Sequence, residues 1–356
     1  MRAMEPDSFS AVVTDPPYGL EFLGKDWDKL GAVVEDCSEE KGRFASQRNG
    51  KTAFGGGGKR VRYGLSAASM QSWHEEWARE ALRVTKPGGM ILAFGGTRTH
   101  HRLACAIEDA GWEIRDCLMW LYGQGFPKSL DISKAIDKKA GITNRLPVTD
   151  LAQRWDGYGT TLKPAWEPII VAMKPLDGTF AHNAEAHGVA GLNVNGCRIE
   201  TTDMWDVSGS IYKGHFGSGK PGHGKRATNP NGHPNGRWPA NLILDGDAAA
   251  ALDGQSKRVS RYFYCCKASK KDRGEDNDHP TVKPTALMRW LIRLVTMPSG
   301  TRILDPFGGS GTTAVACALE GVDCVSIEKE AEYVNTSRRR IISVKDRRPL
   351  FAEATP

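Results

Sequence analysis

No apolar run in this sequence is long enough to cross a bilayer, and the first residues, Met1-Arg2-Ala3-Met4-Glu5-Pro6, lack the apolar stretch of a signal peptide. Both absences lead to the expectation of a cytoplasmic protein with no membrane partner. Cysteine occurs eight times but never as C-x-x-C, and the adjacent Cys265 and Cys266 cannot bridge to each other without strain. Reduced thiols and no metal site are therefore expected. No internal repeat is apparent. What is present is ordinary globular material: 356 residues, 40% hydrophobic and 25% charged, with a net charge of +6 that suits a polyanionic partner.

Along the chain, Phe9 to Val13 reads as a strand and the glycine-rich stretch around Gly55-Gly56-Gly57-Gly58 as a mobile loop. Trp73, Trp77, Ala81, Leu82 and Val84 recur at helical spacing over residues 72–85, with the tryptophans expected in the core and Lys86-Pro87-Gly88-Gly89 closing the helix. Met90 to Phe94 predicts a buried strand, Arg102 to Ala110 a helix, and Glu113 to Leu121 another strand. This alternation predicts parallel crossover units in a doubly wound sheet. From about Phe126 the rhythm fails, leaving short strand candidates such as Glu167 to Met173, so residues 126–278 are expected to form a different module. It resumes at Thr285, where Leu287, Trp290, Leu291 and Leu294 share a face, followed by the strand Arg302 to Asp305.

Two stretches carry chemistry. Asp15-Pro16-Pro17-Tyr18 ends the first strand, because proline offers no ladder donor and restricts the residue before it. An acid and an aromatic would then sit at the carboxyl edge of the sheet, where α/β folds place ligands, although Asp-Pro is also an ordinary turn starter. Asp305-Pro306-Phe307-Gly308-Gly309-Ser310-Gly311-Thr312-Thr313 places glycines after a strand and opens a helix through Ala318. Such a turn lets the backbone approach a ligand and aims amide donors outward. It matches neither G-x-x-x-x-G-K-[ST] nor a full G-x-G-x-x-G. The next strand, Val322 to Ile327, ends in Glu328, placed where a Rossmann-like sheet holds a ribose diol, or else merely a solvated acid. Between Ser208 and Arg237 the chain has Lys213, Lys220, Lys225, Arg226 and Arg237 and no acid, which reads as an arm tracking a polyanion or as a solvated linker. The Tyr262-Phe263-Tyr264 run with Lys267, Lys270 and Lys271 reads first as a strand edge.

Together, Asp15-Pro16-Pro17-Tyr18, His279-Pro280-Thr281-Val282-Lys283-Pro284 and Phe307-Gly308-Gly309-Ser310-Gly311, in that order, resemble the S-adenosylmethionine-dependent DNA methyltransferases that modify exocyclic amines, in their β arrangement. The resemblance spans nearly the whole chain. It implies an α/β, Rossmann-like methyltransferase sheet split in sequence, with residues 1–125 as the catalytic half, 126–278 as a central target-recognition insert and 279–356 as the cofactor half. It implies that Asp15, Pro16, Pro17 and Tyr18 act on a base flipped out of double-stranded DNA. Asp15 and the Pro16 carbonyl would accept the amine hydrogens, and Tyr18 would supply a stacking face.

S-adenosylmethionine is the implied cofactor, held by Asp305, Phe307, Gly308, Gly309, Gly311, Thr312 and Glu328, with Thr281 and Lys283 at its methionine end. Gly311 has helix packing as an alternative, and Lys283 a phosphate contact. Lys213, Lys220, Lys225, Arg226 and Arg237 are the expected DNA contacts. Adenine N6 is favoured, since an initial aspartate accompanies adenine more often in this family. Cytosine N4, a silent DNA-binding relative, and RNA or protein amide substrates are the alternatives, and a homodimer is left open.

Overall fold

Phe9–Thr14, six consecutive buried residues rich in β-branched side chains, forms β1 in the interior of a sheet, where both faces of a strand must be apolar. The computed structural model describes residues 1–18, 63–125, 127, 129–200, 236–266 and 282–345. Its strands are β1, β2 (Thr85–Phe94), β3 (Glu113–Leu121), β4 (Trp166–Met173), β5 (Leu242–Asp245), β6 (Tyr264–Cys266), β7 (Arg302–Asp305) and β8 (Asp323–Ser326), joined in one eight-stranded sheet in the order β6-β5-β3-β4-β2-β1-β7-β8. The helices are α1 (Tyr63–Val84), α2 (His100–Asp109), α3 (Ile132–Lys139), α4 (Asp150–Arg154), α5 (Phe180–His187), α6 (Gly246–Gln255), α7 (Thr285–Leu294), α8 (Thr312–Glu320) and α9 (Ala331–Lys345).

Alternation along the central strands builds two cores. Val13, Leu92 and Phe94 face Leu287, Trp290 and Leu291 of α7, whereas Val12, Ile91 and Ala93 face Trp77 and Ala81 of α1 and Leu103 and Ile107 of α2. Each such Leu or Ile contributes about 1.5–3 kcal/mol by leaving water. Helices on both faces make the sheet doubly wound, as expected.

Three expectations are corrected. First, the parallel arrangement has an exception: β4 runs antiparallel to both neighbours, β2 and β3, while every other pairing is parallel. Second, residues 126–278 are not separate from the sheet, since β4, β5 and β6 all come from them. The strand-helix rhythm was lost because β4 enters without a preceding long crossover helix and because β5 and β6 are very short.

Third, Lys86-Pro87-Gly88-Gly89 does not close α1. The helix ends at Val84, Thr85 already pairs with Phe9, and the four residues form an irregularity inside β2, where the partner register jumps from Phe9–Thr85 to Ala11–Met90. Gly88 takes a left-handed φ of 73° there, with Asn183 packed where a side chain would project.

Candidate active site

The sheet brings its acids to one edge. Asp15 follows β1, Asp305 ends β7 and Glu328 follows β8, three parallel neighbours whose carboxyl ends point the same way. Because β4 is antiparallel, its first residues, Trp166 and Glu167, lie at that same edge, opposite Leu121 and Trp120 of β3. Asp15, Trp120, Trp166, Glu167, Asp305 and Glu328 surround a cavity of about 570 Å³, within the usual size of a small-molecule site.

At one end Asp15 sits in a tight polar cluster. Lys283, only 8% exposed, places Nζ 2.7 Å from Asp15 Oδ2, 3.2 Å from Glu167 Oε2 and 3.1 Å from Tyr18 Oη. The Tyr18 hydroxyl lies 2.8 Å from Asp15 Oδ1 and 3.2 Å from Glu167 Oε2. Burial works against the Lys283 ammonium, but the Asp15 and Glu167 carboxylates outweigh it and hold its pKa above the ordinary lysine range. Burial, then the charges of Asp15 and Glu167, push the Tyr18 phenol well above its usual value, so it stays a donor. Pro16 and Pro17 also line the cavity, their rings fixing the turn that presents Asp15.

The other end is the glycine turn. Asp305 is 1% exposed and accepts from Thr14 Oγ1 at 2.7 Å and from the Phe307 amide at 3.1 Å. Burial pushes its carboxyl up to about 6 against these hydrogen bonds. Glu328 is held from two sides, one oxygen accepting from the Gly309 amide at 2.7 Å and the other from the Glu330 amide at 2.9 Å. A side chain at Gly308 would run into Ser326, and one at Gly311, which has φ of 83° and caps α8, would run into Ser337 of α9. Those two glycines serve the packing of the turn on its neighbours, the alternative considered for Gly311. From α9, Arg340 Nη1 donates to the Ser310 carbonyl at 2.6 Å and to Thr312 Oγ1 at 3.2 Å, bracing the turn from behind.

The structure thus gathers Asp15, Pro16, Pro17, Tyr18, Lys283, Asp305, Phe307, Gly308, Gly309, Thr312 and Glu328 around one cavity, with Gly311 just behind it. Lys283 lines the cavity, with its ammonium buried against Asp15 rather than exposed to a phosphate, the alternative weighed for it. Trp73, expected in the core, is a cavity wall against Phe307, their rings 5.6 Å apart, while Trp77 is the buried one.

Thr281, Lys213, Lys220, Lys225 and Arg226 lie outside the described residues, as do the glycine-rich stretch near Gly55 and Lys267, Lys270 and Lys271. Arg237 is described and engaged within the protein, donating to the Arg261 carbonyl at 3.0 Å with its guanidinium over the Tyr262 ring. Sequence reasoning missed Glu167, Thr14 and Arg340. Glu167 carried a signal, an acid opening the otherwise apolar run Trp166-Glu167-Pro168-Ile169-Ile170-Val171; Arg340, inside Arg338-Arg339-Arg340, carried none.

A family model described as DNA methylase, for N6 and N4 methyltransferases, matches residues 9–339. The type II methyltransferase M.HindIII of Haemophilus influenzae is 25% identical over 350 residues, covering 96% of this chain and 91% of its own. Among solved structures, the PvuII DNA methyltransferase (cytosine-N4-specific) aligns with 97% of this chain and 87% of its own at 16% identity and a TM-score of 0.47. The M1.HpyAVI–SAM complex aligns with 95% and 90%, at 17% identity and a TM-score of 0.41.

Proposed function

From the premise that the chain belongs to the DNA methylase family of N6 and N4 methyltransferases, we propose that its acceptor is adenine N6 and that Asp15 is the group that holds the amine. The family membership itself sets the coarser reaction: transfer of a methyl group from S-adenosylmethionine to an exocyclic amine of DNA, on adenine or cytosine, as in type II restriction-modification methyltransferases.

The observation that carries the finer reading is Asp15, a carboxylate on a proline-stiffened turn with both oxygens directed into the polar end of the cavity. An exocyclic amine is a poor nucleophile because its lone pair is delocalised into the ring. Accepting its hydrogens on Asp15 and the Pro16 carbonyl keeps the pair on nitrogen and aims it, an effect of position and electrostatics. S-adenosylmethionine supplies the electrophilic methyl on a sulfonium. As the nitrogen gains its new bond, Asp15 is placed to take the proton it sheds. The base reaches the cavity only after leaving the duplex, at a cost of a few kcal/mol, and the rings of Tyr18 and Tyr122 offer faces to replace the lost stacking. No cysteine of the described residues lines the cavity.

The cavity also suits the cofactor's charge. Asp15, Glu167, Asp305, Glu328 and Glu330 line it against Lys283 and Lys329, five carboxylates to two ammonium groups, which matches a ligand carrying a sulfonium. Glu328, held by two amides, has lone pairs left for a ribose diol, and Asp305, Phe307 and Gly309 run along the same wall. Target recognition is assigned to the parts of residues 126–278 outside the sheet, with Lys213, Lys220, Lys225 and Arg226 on the DNA backbone. No helix among the described residues is long and apolar enough to cross a membrane. Action on cellular DNA puts the protein in the cytoplasm.

Methylation-aware sequencing of DNA from cells expressing the protein is the test. N6-methyladenine confined to one sequence context is the expected result. N4-methylcytosine would overturn the choice of base and leave the role of Asp15 to be judged by its variants.

A further inference from the structure

We propose that Glu167 is a positioning residue for methyl transfer: it receives the hydrogen-bond donors that occupy Asp15 in the free protein, so that Asp15 can turn to the incoming amine without stranding them. The inference rests on the reading of Asp15 as the acceptor of the amine.

In the free protein both Asp15 oxygens are taken. Oδ1 lies 2.8 Å from the Tyr18 hydroxyl and Oδ2 lies 2.7 Å from Lys283 Nζ. An amine that enters must displace at least one of these donors. Lys283 is buried and Tyr18 partly buried, and a donor left there without an acceptor opposes the step that strands it. Glu167 Oε2 removes that obstacle because it is 3.2 Å from the Tyr18 hydroxyl and 3.2 Å from Lys283 Nζ. The hydroxyl has one hydrogen and two carboxylates within reach, so it serves either one at a time. Its two settings differ by a rotation about a single C–O bond. Glu167 also keeps the ammonium from being committed to Asp15 alone.

A role in stability does not account for this acid. Glu167 opens a strand whose following residues, Pro168 to Met173, are all buried, and its cross-strand partner is Trp120. Buried ion pairs add little to stability over apolar packing, and glutamate is a poor strand former. The position of Glu167 is fixed instead by the reversed direction of β4, which carries its first residues to the edge where Asp15 ends its turn.

The groups that surround Asp15 are Lys283 and Tyr18 in contact, Glu167 across those two, Asp305 from β7 and Tyr122 beyond Glu167.

The test is single-turnover methylation of duplex DNA at saturating S-adenosylmethionine for the parent, E167A, E167Q and D15N. E167A is expected to slow transfer by about tenfold. Cofactor affinity by calorimetry should be unchanged. E167Q, which retains an acceptor oxygen for the Tyr18 hydroxyl but no charge, should recover part of the rate, and its near-identical shape carries the test if E167A does not fold. A parental rate in E167A or, without it, in E167Q overturns the proposal, as does an E167Q no faster than E167A or a loss of rate accompanied by an equal loss of cofactor affinity. If D15N retains the parental rate, the reading of Asp15 and this inference fall together. If D15N is inactive and both Glu167 variants match the parent, only this inference falls.

Discussion

Thr14 Oγ1 donates to Asp305 Oδ1 at 2.7 Å with both residues buried, so the last residue of β1 is fixed to the last residue of β7. The turn that presents Asp15 and the glycine turn are thereby set in one register, and an acid is retained where burial disfavours its charge. Asp305 has its carboxyl raised to about 6, above the ordinary 3.8 of the unfolded chain. Its contribution to stability is thus complete below about pH 3.8 and is lost as pH rises through about 6. Asp305→Asn, which keeps an oxygen for Thr14 and for the Phe307 amide, is expected to be more stable than the parent at pH 8 by about 1–3 kcal/mol and to bind S-adenosylmethionine more weakly. Urea unfolding at pH 4 and pH 8 checks the first, calorimetry the second.

Asp15→Ala is expected to lower the single-turnover rate by about 10²–10⁴-fold while cofactor and DNA affinity largely survive. Lys283 retains Glu167 in that variant, so the fold should hold, as a thermal melt would report. Retention of a large fraction of the rate would remove Asp15 from the reaction.

Glu328→Ala should weaken S-adenosylmethionine binding by about 2–3 kcal/mol, two charge-assisted hydrogen bonds to the ribose together with the loosening of the Gly309 amide. Glu328→Gln separates the two contributions, because its oxygen can still accept from the Gly309 amide. Equal affinity in the parent and both variants, measured calorimetrically, would place the ribose elsewhere.

Neutralising Lys220, Lys225 and Arg226 together should flatten the dependence of log affinity for DNA on log salt by roughly two to three units, since each phosphate contact contributes about 0.9. Binding should weaken alike for target and non-target duplexes. A triple variant with the parental slope marks this segment as a linker and moves the electrostatic footprint elsewhere.

His74 is fully buried, its Nδ1 accepting from Trp77 Nε1 at 3.0 Å, and burial holds its pKa at about 3 instead of 6.5. The unfolded chain takes up this proton first, so the stability that neutral His74 provides is present above about pH 6.5 and lost as pH falls towards 3. His74→Gln should shift the acid midpoint of unfolding, followed by circular dichroism, to lower pH.

The parts of the site that were legible in the sequence are those whose chemistry is local. Asp15-Pro16-Pro17-Tyr18 ends a strand whatever surrounds it, and glycines between Asp305 and Thr312 make a turn whose shape requires them. Glu167, Thr14 and Arg340 were not legible because their meaning depends on partners far along the chain: Tyr18 and Lys283 for Glu167, Asp305 for Thr14, the Ser310 carbonyl for Arg340. Lys283 was found by resemblance, but its contacts were not legible, since nothing in its neighbourhood in sequence shows that an acid after β1 and another on β4 converge on it. The direction of β4 was hidden for the same reason, as an apolar run reads alike from either end.

That direction bears on how freely the segment between β3 and β4 can vary. Leu121 and Trp166 are paired side by side, and the Tyr122 amide donates to the Ala165 carbonyl at 3.0 Å just outside them, so the excursion carrying α3 and α4 leaves and re-enters the sheet at a single point. Within the excursion, Asp137 gathers the Val148 and Thr149 amides, giving it an internal scaffold of its own. A segment closed at its base in this way can be lengthened, shortened or exchanged with no strain passed to the strands that hold the reacting groups. If that excursion carries target recognition, as proposed, the chemistry and the address it is sent to are inherited separately.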